Sequence, residues 1–166
     1  MKKIVFAVAL MLGLSTVNAQ TFDKGITVIQ AGLGLGSTIG TPIGLGFEYG
    51  VSEKIGIGGY AGYATQNYGF GFGADYKVTS ILVGAKGNYH FFQSDSIDAY
   101  GGLLLGYNIA KASWSDSNSD PIPVSYGGVV FGGSIGARYY FTENIAAFAE
   151  LGYGLGYLNA GLAYKL

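Results

Sequence analysis

The stretch Ile145-Ala146-Ala147-Phe148-Ala149-Glu150-Leu151-Gly152-Tyr153-Gly154-Leu155-Gly156-Tyr157-Leu158-Asn159-Ala160-Gly161-Leu162-Ala163-Tyr164-Lys165-Leu166 decides how the chain is read. Ile145, Ala147, Ala149, Leu151 and Tyr153 alternate with Ala146, Phe148, Glu150, Gly152 and Gly154. One face is apolar throughout, while the other mixes a carboxylate, a ring and glycines. Period two is the signature of a strand whose two faces meet different surroundings. After a tight turn the pattern returns, with Leu158, Ala160, Leu162, Tyr164 and Leu166 set against Asn159, Gly161, Ala163 and Lys165. No tail is expected beyond Leu166 to cover this last edge. An apolar edge strand with unpaired backbone invites aggregation, and pairing the last strand with the first closes a barrel and removes the edge.

The same alternation runs through the rest of the chain. Strands are expected over about 26–35, 43–49, 55–65, 76–91, 97–110 and 126–141, which with the closing hairpin makes eight. Their lengths are expected at or above the nine to eleven residues a tilted membrane strand needs. Tight turns fall at 50–54, 92–96 and 142–144, and longer loops at 66–75 and 111–125, the latter holding Trp114 and two prolines. With the N-terminus on the periplasmic side, the short turns are periplasmic and the long loops extracellular, the asymmetry of outer-membrane barrels. Outward Tyr49, Tyr89, Phe91, Tyr139, Phe141 and Tyr164 fall near one set of strand ends and Tyr63, Tyr107 and Tyr153 near the other, two aromatic belts around an aliphatic band.

Composition points the same way. Aromatic residues make up 15% of the chain and charged residues only 11%, so there is ample apolar surface and little to keep it solvated. The 30 glycines are therefore read as strand residues and not as disorder. Lys2-Lys3, the apolar run Ile4–Leu14 and Val17-Asn18-Ala19 have the layout of a secretory signal peptide, giving a cleaved segment 1–19 and a barrel domain 20–166. Without Lys2 and Lys3, seven basic residues face ten acidic ones. That balance offers no polybasic surface for nucleic acid. There are no cysteines, so no disulfide framework holds the fold. A soluble lipocalin-like ligand carrier, a further possibility, would need a polar exterior.

Asn159, Gly161, Tyr164 and Leu166 sit at the spacing of a polar residue, a glycine, an aromatic and a final hydrophobic residue, which resembles the C-terminal assembly signal of outer-membrane barrels; an aromatic is usual where Leu166 stands. Together with the strand pattern and the Phe141-Thr142-Glu143-Asn144-Ile145 turn region, the chain is similar to the small outer-membrane β-barrels of the OmpA/OmpX type and to glycine-rich porin-family barrels. The resemblance implies an all-β, eight-stranded antiparallel up-and-down transmembrane barrel in the outer membrane. It implies contact with outer-membrane lipid, handling by the barrel-assembly machinery, and a structural, adhesive or weakly pore-forming role.

The inward charges are Glu48, Lys86, Asp98, Arg138, Glu150 and Lys165, joined by His90. An eight-stranded bore is barely wide enough for side chains, so each must find a partner there. Counting across 142–144 sets Gly136 opposite Glu150 and Arg138 opposite Phe148, which puts Arg138 diagonal to Glu150 and within reach. Counting across 92–96 sets His90 opposite Asp98. Two readings follow: a charge gate on a narrow conduction path, resembling the lumenal ion pairs of the OmpA barrel, or pairs that neutralise one another in a plugged core. Buried pairs are commonly structural, and Tyr60, Tyr100, Leu82, Leu104 and Phe148 also point into the bore, so the plug is the favoured reading. Some small outer-membrane barrels modify lipid A with a histidine, a serine and a carboxylate. The lone His90 has no serine in an evident constellation with it, so no enzyme, cofactor or metal site is expected. An outside partner would meet the chain through 66–75 and 111–125.

Overall fold

The computed structural model describes residues 21–37, 39–70, 74–116, 123–152 and 156–166. The expected signal peptide lies outside them, as do Tyr153 and the tips at 71–73 and 117–122. Eight antiparallel strands close into a barrel in chain order: β1 (Thr27–Leu35), β2 (Ile43–Gly50), β3 (Ile55–Phe70), β4 (Ala74–Gln93), β5 (Ile97–Asp116), β6 (Pro123–Tyr140), β7 (Ile145–Gly152) and β8 (Leu158–Lys165). The last pairs with the first, Val28 opposite Lys165 through Leu35 opposite Leu158. No edge is left on that seam.

The wall is inside out relative to a water-soluble protein. Leu45, Val83, Leu103, Ile135, Leu151 and Leu162 are exposed on the outer surface, whereas Glu48, His90, Asp98, Arg138 and Glu150 are buried in the bore. Lys24, Glu53, Lys54, Asp95 and Glu143 lie exposed at the turn end.

Strand lengths differ from expectation in both directions. The supposed loops at 66–75 and 111–125 are largely strand: β3 continues to Phe70, β4 begins at Ala74, β5 runs to Asp116 and β6 begins at Pro123. Conversely β2, β7 and β8 have eight residues each, short of the about nine to eleven that a tilted membrane strand needs, although β2 outruns the span 43–49 by one residue. At about 3.3 Å per residue, β4 and β5, with 20 residues each, stand far above their short neighbours. The barrel is a low ring with a tall four-stranded wall, β3–β6, on one side.

The outer face of that wall changes character at one rung. Up to Tyr63, Ile81 and Ile109, aligned across β3, β4 and β5, outward residues are mainly apolar or glycine. The next outward rung is Thr65, Thr79, Lys111 and Ser125, and the one beyond it begins Asn67, Lys77, Ser113. From Ile55 to Tyr63 the apolar stretch of β3 is nine residues, the length that crosses a hydrocarbon layer. Tyr63, Tyr107, Tyr49, Tyr89 and Tyr164 are exposed near its two limits, although Phe47 and Phe131 fall inside the band.

The three tight turns share a device. Ser52, Ser94 and Thr142 each accept the backbone N–H of the isoleucine three residues on, Ile55 at 3.0 Å, Ile97 at 3.2 Å and Ile145 at 2.9 Å. A hydroxyl that bonds its own turn holds the chain reversal and starts the next strand in fixed register. In β4 a bulge between His90 and Phe92 turns both Phe91 and Phe92 outward. One extra residue there shifts every later pairing.

Candidate functional site

The bore fills from the turn end upward. Phe22, Val28, Tyr140, Ala146, Phe148 and Ala163 form an apolar cluster. Packed against it is a polar cluster drawn from five strands: Gln30 of β1, Glu48 of β2, Asn88 and His90 of β4, Asp98 of β5 and Arg138 of β6. The Arg138 guanidinium donates to Glu48 Oε2 (2.5 Å), Gln30 Oε1 (3.0 Å) and Asp98 Oδ2 (3.2 Å), and lies 4.5 Å from the Tyr100 ring centroid. Asn88 donates to Glu48 Oε1 (2.8 Å). His90 sits between the two carboxylates, Nδ1 at 2.6 Å from Asp98 Oδ1 and Nε2 at 2.9 Å from Glu48 Oε1. Ionised carboxylates only accept, so both ring nitrogens donate. One layer higher, Lys86 Nζ reaches both oxygens of Glu150 at 2.6 Å, and Tyr100 donates to Glu150 Oε2 at 3.2 Å.

Three carboxylates, Glu48, Asp98 and Glu150, thus meet Arg138, Lys86 and an imidazole donating from both sides. The set balances internally, which is what a buried ionic cluster requires.

Two expected pairings are corrected. Gly136 does lie opposite Glu150 and Arg138 opposite Phe148. Arg138 nevertheless turns away from Glu150 to the two carboxylates on β2 and β5, and Lys86 takes Glu150 from across the bore. His90 lies opposite Tyr100, not Asp98: the reversal is centred between Asp95 and Ser96, which sets Gln93 opposite Asp98, and the bulge then shifts the register by one residue to bring His90 to Tyr100. The His90–Asp98 hydrogen bond spans that diagonal. Lys165 stays outside the cluster, its Nζ 5.1 Å from the Tyr140 ring centroid.

Inward glycines provide the sockets. A side chain at Gly56 would collide with the Glu48 carboxylate, one at Gly102 with Asn88 Oδ1, and one at Gly136 would come within 2.9 Å of the Tyr100 ring. Small spaces remain. A cavity of about 30 Å³ lies among Gln30, Tyr60, Lys86, Ser134, Glu150 and Asn159, and one of about 10 Å³ beside Asn88 and Arg138. These hold one or two waters and no larger guest. Asn88 Oδ1 and Arg138 Nε, which lack protein partners, border the smaller one. Among the described residues no group of three or more His, Cys, Asp or Glu is arranged to hold a metal ion.

Gln30, Asn88 and Tyr100, which carry no charge, also belong to the cluster; inward parity together with a polar atom is the signal that finds them. Phe22, whose ring stacks on His90 at 3.6 Å and 9°, precedes the first strand and gave none. Of the terminal pattern, Asn159, Gly161 and Tyr164 lie on β8 with Leu166 just beyond, and Gly161 packs so close to the Ala31 carbonyl that a Cβ has no room.

An eight-stranded closed meander, apolar outside and ion-paired within, is the architecture of the small outer-membrane β-barrels, and this chain has that fold. The N-terminal β-barrel domain of Pseudomonas aeruginosa OprF shares it at TM-score 0.60 and 19% identity, covering 86% of this chain and 98% of that one. A major outer membrane protein from Thermus thermophilus superposes at TM-score 0.68 with 14% identity, over 85% and 98% of the two chains. Ail, the attachment invasion locus protein of Yersinia pestis, does so at 0.53 with 19% identity, over 86% and 99%. No family model and no curated protein matches the sequence.

Proposed function

We propose that the protein is an integral outer-membrane barrel with a plugged lumen, which acts at the cell surface through structure and contact and not through catalysis. The observation that carries this is the outer face: a nine-residue apolar stretch on β3 that gives way at one rung to Thr65, Thr79, Lys111 and Ser125. Lipid satisfies the first surface and water the second, and a closed barrel is one of the two backbone arrangements that hydrocarbon tolerates. The wall above that rung would then stand clear of the membrane with long strand edges for a partner to meet. Tyr68, exposed with its ring 6.1 Å from that of Tyr76, is part of this surface. Assembly by the outer-membrane barrel machinery, through the β8 pattern, belongs to the same proposal.

Membrane fractionation, heat-modifiable gel migration and planar-bilayer conductance test it together. An outer-membrane location, a mobility shift on heating and no current support the reading. A protein that stays in solution without detergent would end it. The cavity beside Lys86 and Glu150 favours a second reading, a narrow channel gated by that pair; small current steps that change on neutralising Glu150 would establish it.

A further inference from the structure

The cluster around Arg138 is roofed at the turn end by a segment that belongs to no strand. Phe22 is fully buried, stacked on His90, and in the same apolar cluster as Val28, Tyr140 and Ala146. Thr21 beside it is also buried. The chain then leaves the bore through a short hook. Ile26 N–H bonds back to the Asp23 carbonyl at 3.3 Å, and Gly25 sits at φ 87°, a left-handed turn that favours glycine. Two backbone bonds to the end of β2 tie the hook down, Gly25 N–H to Gly50 O and Gly50 N–H to Ile26 O, both 2.8 Å. The Asp23 carbonyl passes so close to Gly50 that a side chain there has no room.

The attachment is slight compared with a strand. Two backbone bonds to β2, the seated Phe22 ring and Ile26 packed against the apolar cluster hold the described part of the segment, whereas every strand pairs with both neighbours over seven or more residues. Behind the ring lie the spaces beside Arg138 and Lys86, both bordered by Gln30, Gly46 and Lys86, so they stack along one line up the bore. A ring stacked on His90 therefore stands between outside water and that line.

We infer that residues Thr21–Ile26 are a removable stopper: Phe22 is the seal, Gly25 the hinge and Gly50 the seat, and unseating the ring opens the turn-side mouth of the bore to small solutes and the ionic cluster behind it to water. This concerns the mouth of the bore and goes beyond the surface role proposed above.

The sequence has no cysteine, so a single Ala146→Cys, a buried position in the apolar cluster under the hook, carries a unique label. The refolded barrel is treated with a cationic methanethiosulfonate reagent, and the rate of mass increase is followed against the same chain in urea. Heat-modifiable migration reports barrel integrity separately. With the native hook the thiol is expected to react at least about 100-fold more slowly than in the unfolded chain. Adding Phe22→Ala, or Gly50→Ala, which pushes at the hook from the other side, should raise the rate at least tenfold while the mobility shift persists. A native hook that leaves the thiol as reactive as in urea overturns the proposal, as does either folded variant reacting as slowly as the native background. Should neither variant refold, the milder Phe22→Leu takes their place with the same two outcomes: a rate raised above the native background supports the stopper, and an unchanged rate overturns it.

Discussion

Replacing Arg138 by methionine removes the centre of the lumenal cluster while keeping side-chain length and apolar bulk. The guanidinium donates to two carboxylates and one amide, at 2.5 to 3.2 Å, in surroundings where it is 1% exposed. Unit charges about 4 Å apart attract by about 4 kcal/mol at an effective dielectric constant near 20, and part of that offsets the cost of burial. What Arg138→Met leaves is more telling than what it removes. Glu48 and Asp98 still face the bore with only His90 between them, and stripping one partner from a buried ionic set typically costs about 3–5 kcal/mol. Urea unfolding in phospholipid vesicles, followed by the folded and unfolded gel bands, measures the loss. Adding Glu48→Gln restores the charge balance and should return about 2 kcal/mol of it, since the penalty comes from the unpaired charge. A single variant within about 0.5 kcal/mol of native, or a double variant no more stable than the single, would refute the reasoning.

Other outcomes follow from the same geometry. Lys86→Met strands Glu150 with only the Tyr100 hydroxyl and should destabilise by about 3 kcal/mol, whereas Lys86→Met with Glu150→Gln recovers most of it; a double-mutant cycle in the same assay measures the coupling. Leu105→Lys, in the middle of the apolar band beside Ala85 and Phe131, should cost about 2–4 kcal/mol in vesicles, while Ser113→Lys, above the polar rung, should cost less than about 1 kcal/mol; equal costs would contradict a hydrocarbon exterior. Gly102→Val pushes into Asn88 and, at 3.1 Å, into the Lys86 stem, so it should lower stability by about 1–3 kcal/mol with no gain of conductance, checked by unfolding and bilayer recording.

The barrel was legible because period two survives in every strand, and the inward set Glu48, Lys86, His90, Asp98, Arg138 and Glu150 follows from parity alone. Partner choice did not follow. Arg138 reaches Gln30 and Glu48 across the bore, 108 and 90 residues away in sequence, and no count across a turn reports such contacts. Counting from a turn centred on Ser94 misaligns His90, because Ser94 N–H bonds to Ile97 O and the reversal lies between Asp95 and Ser96; the bulge, unmarked where both Phe91 and Phe92 suit the outside, then shifts the register back by one residue. The misread loops carry a physical lesson. At Gln66 and Lys111 the residues turn polar, which in the sequence looks like the end of a strand. What ends there is the apolar surroundings, while the backbone ladder continues to Phe70 and Asp116. The shared Ser/Thr-x-x-Ile turns, 52–55, 94–97 and 142–145, were visible in the sequence and would have fixed three strand starts at once.

The ionic cluster draws one or two groups from each of β1, β2, β4, β5 and β6, so it can exist only when the first strand and the sixth are already on opposite sides of a finished cylinder. A half-built sheet has the same charges with nothing to hold them, and hydrocarbon penalises that heavily. In the membrane setting proposed above, the core is therefore a latch that clicks last, since an open ribbon would carry its unpaired charges into hydrocarbon.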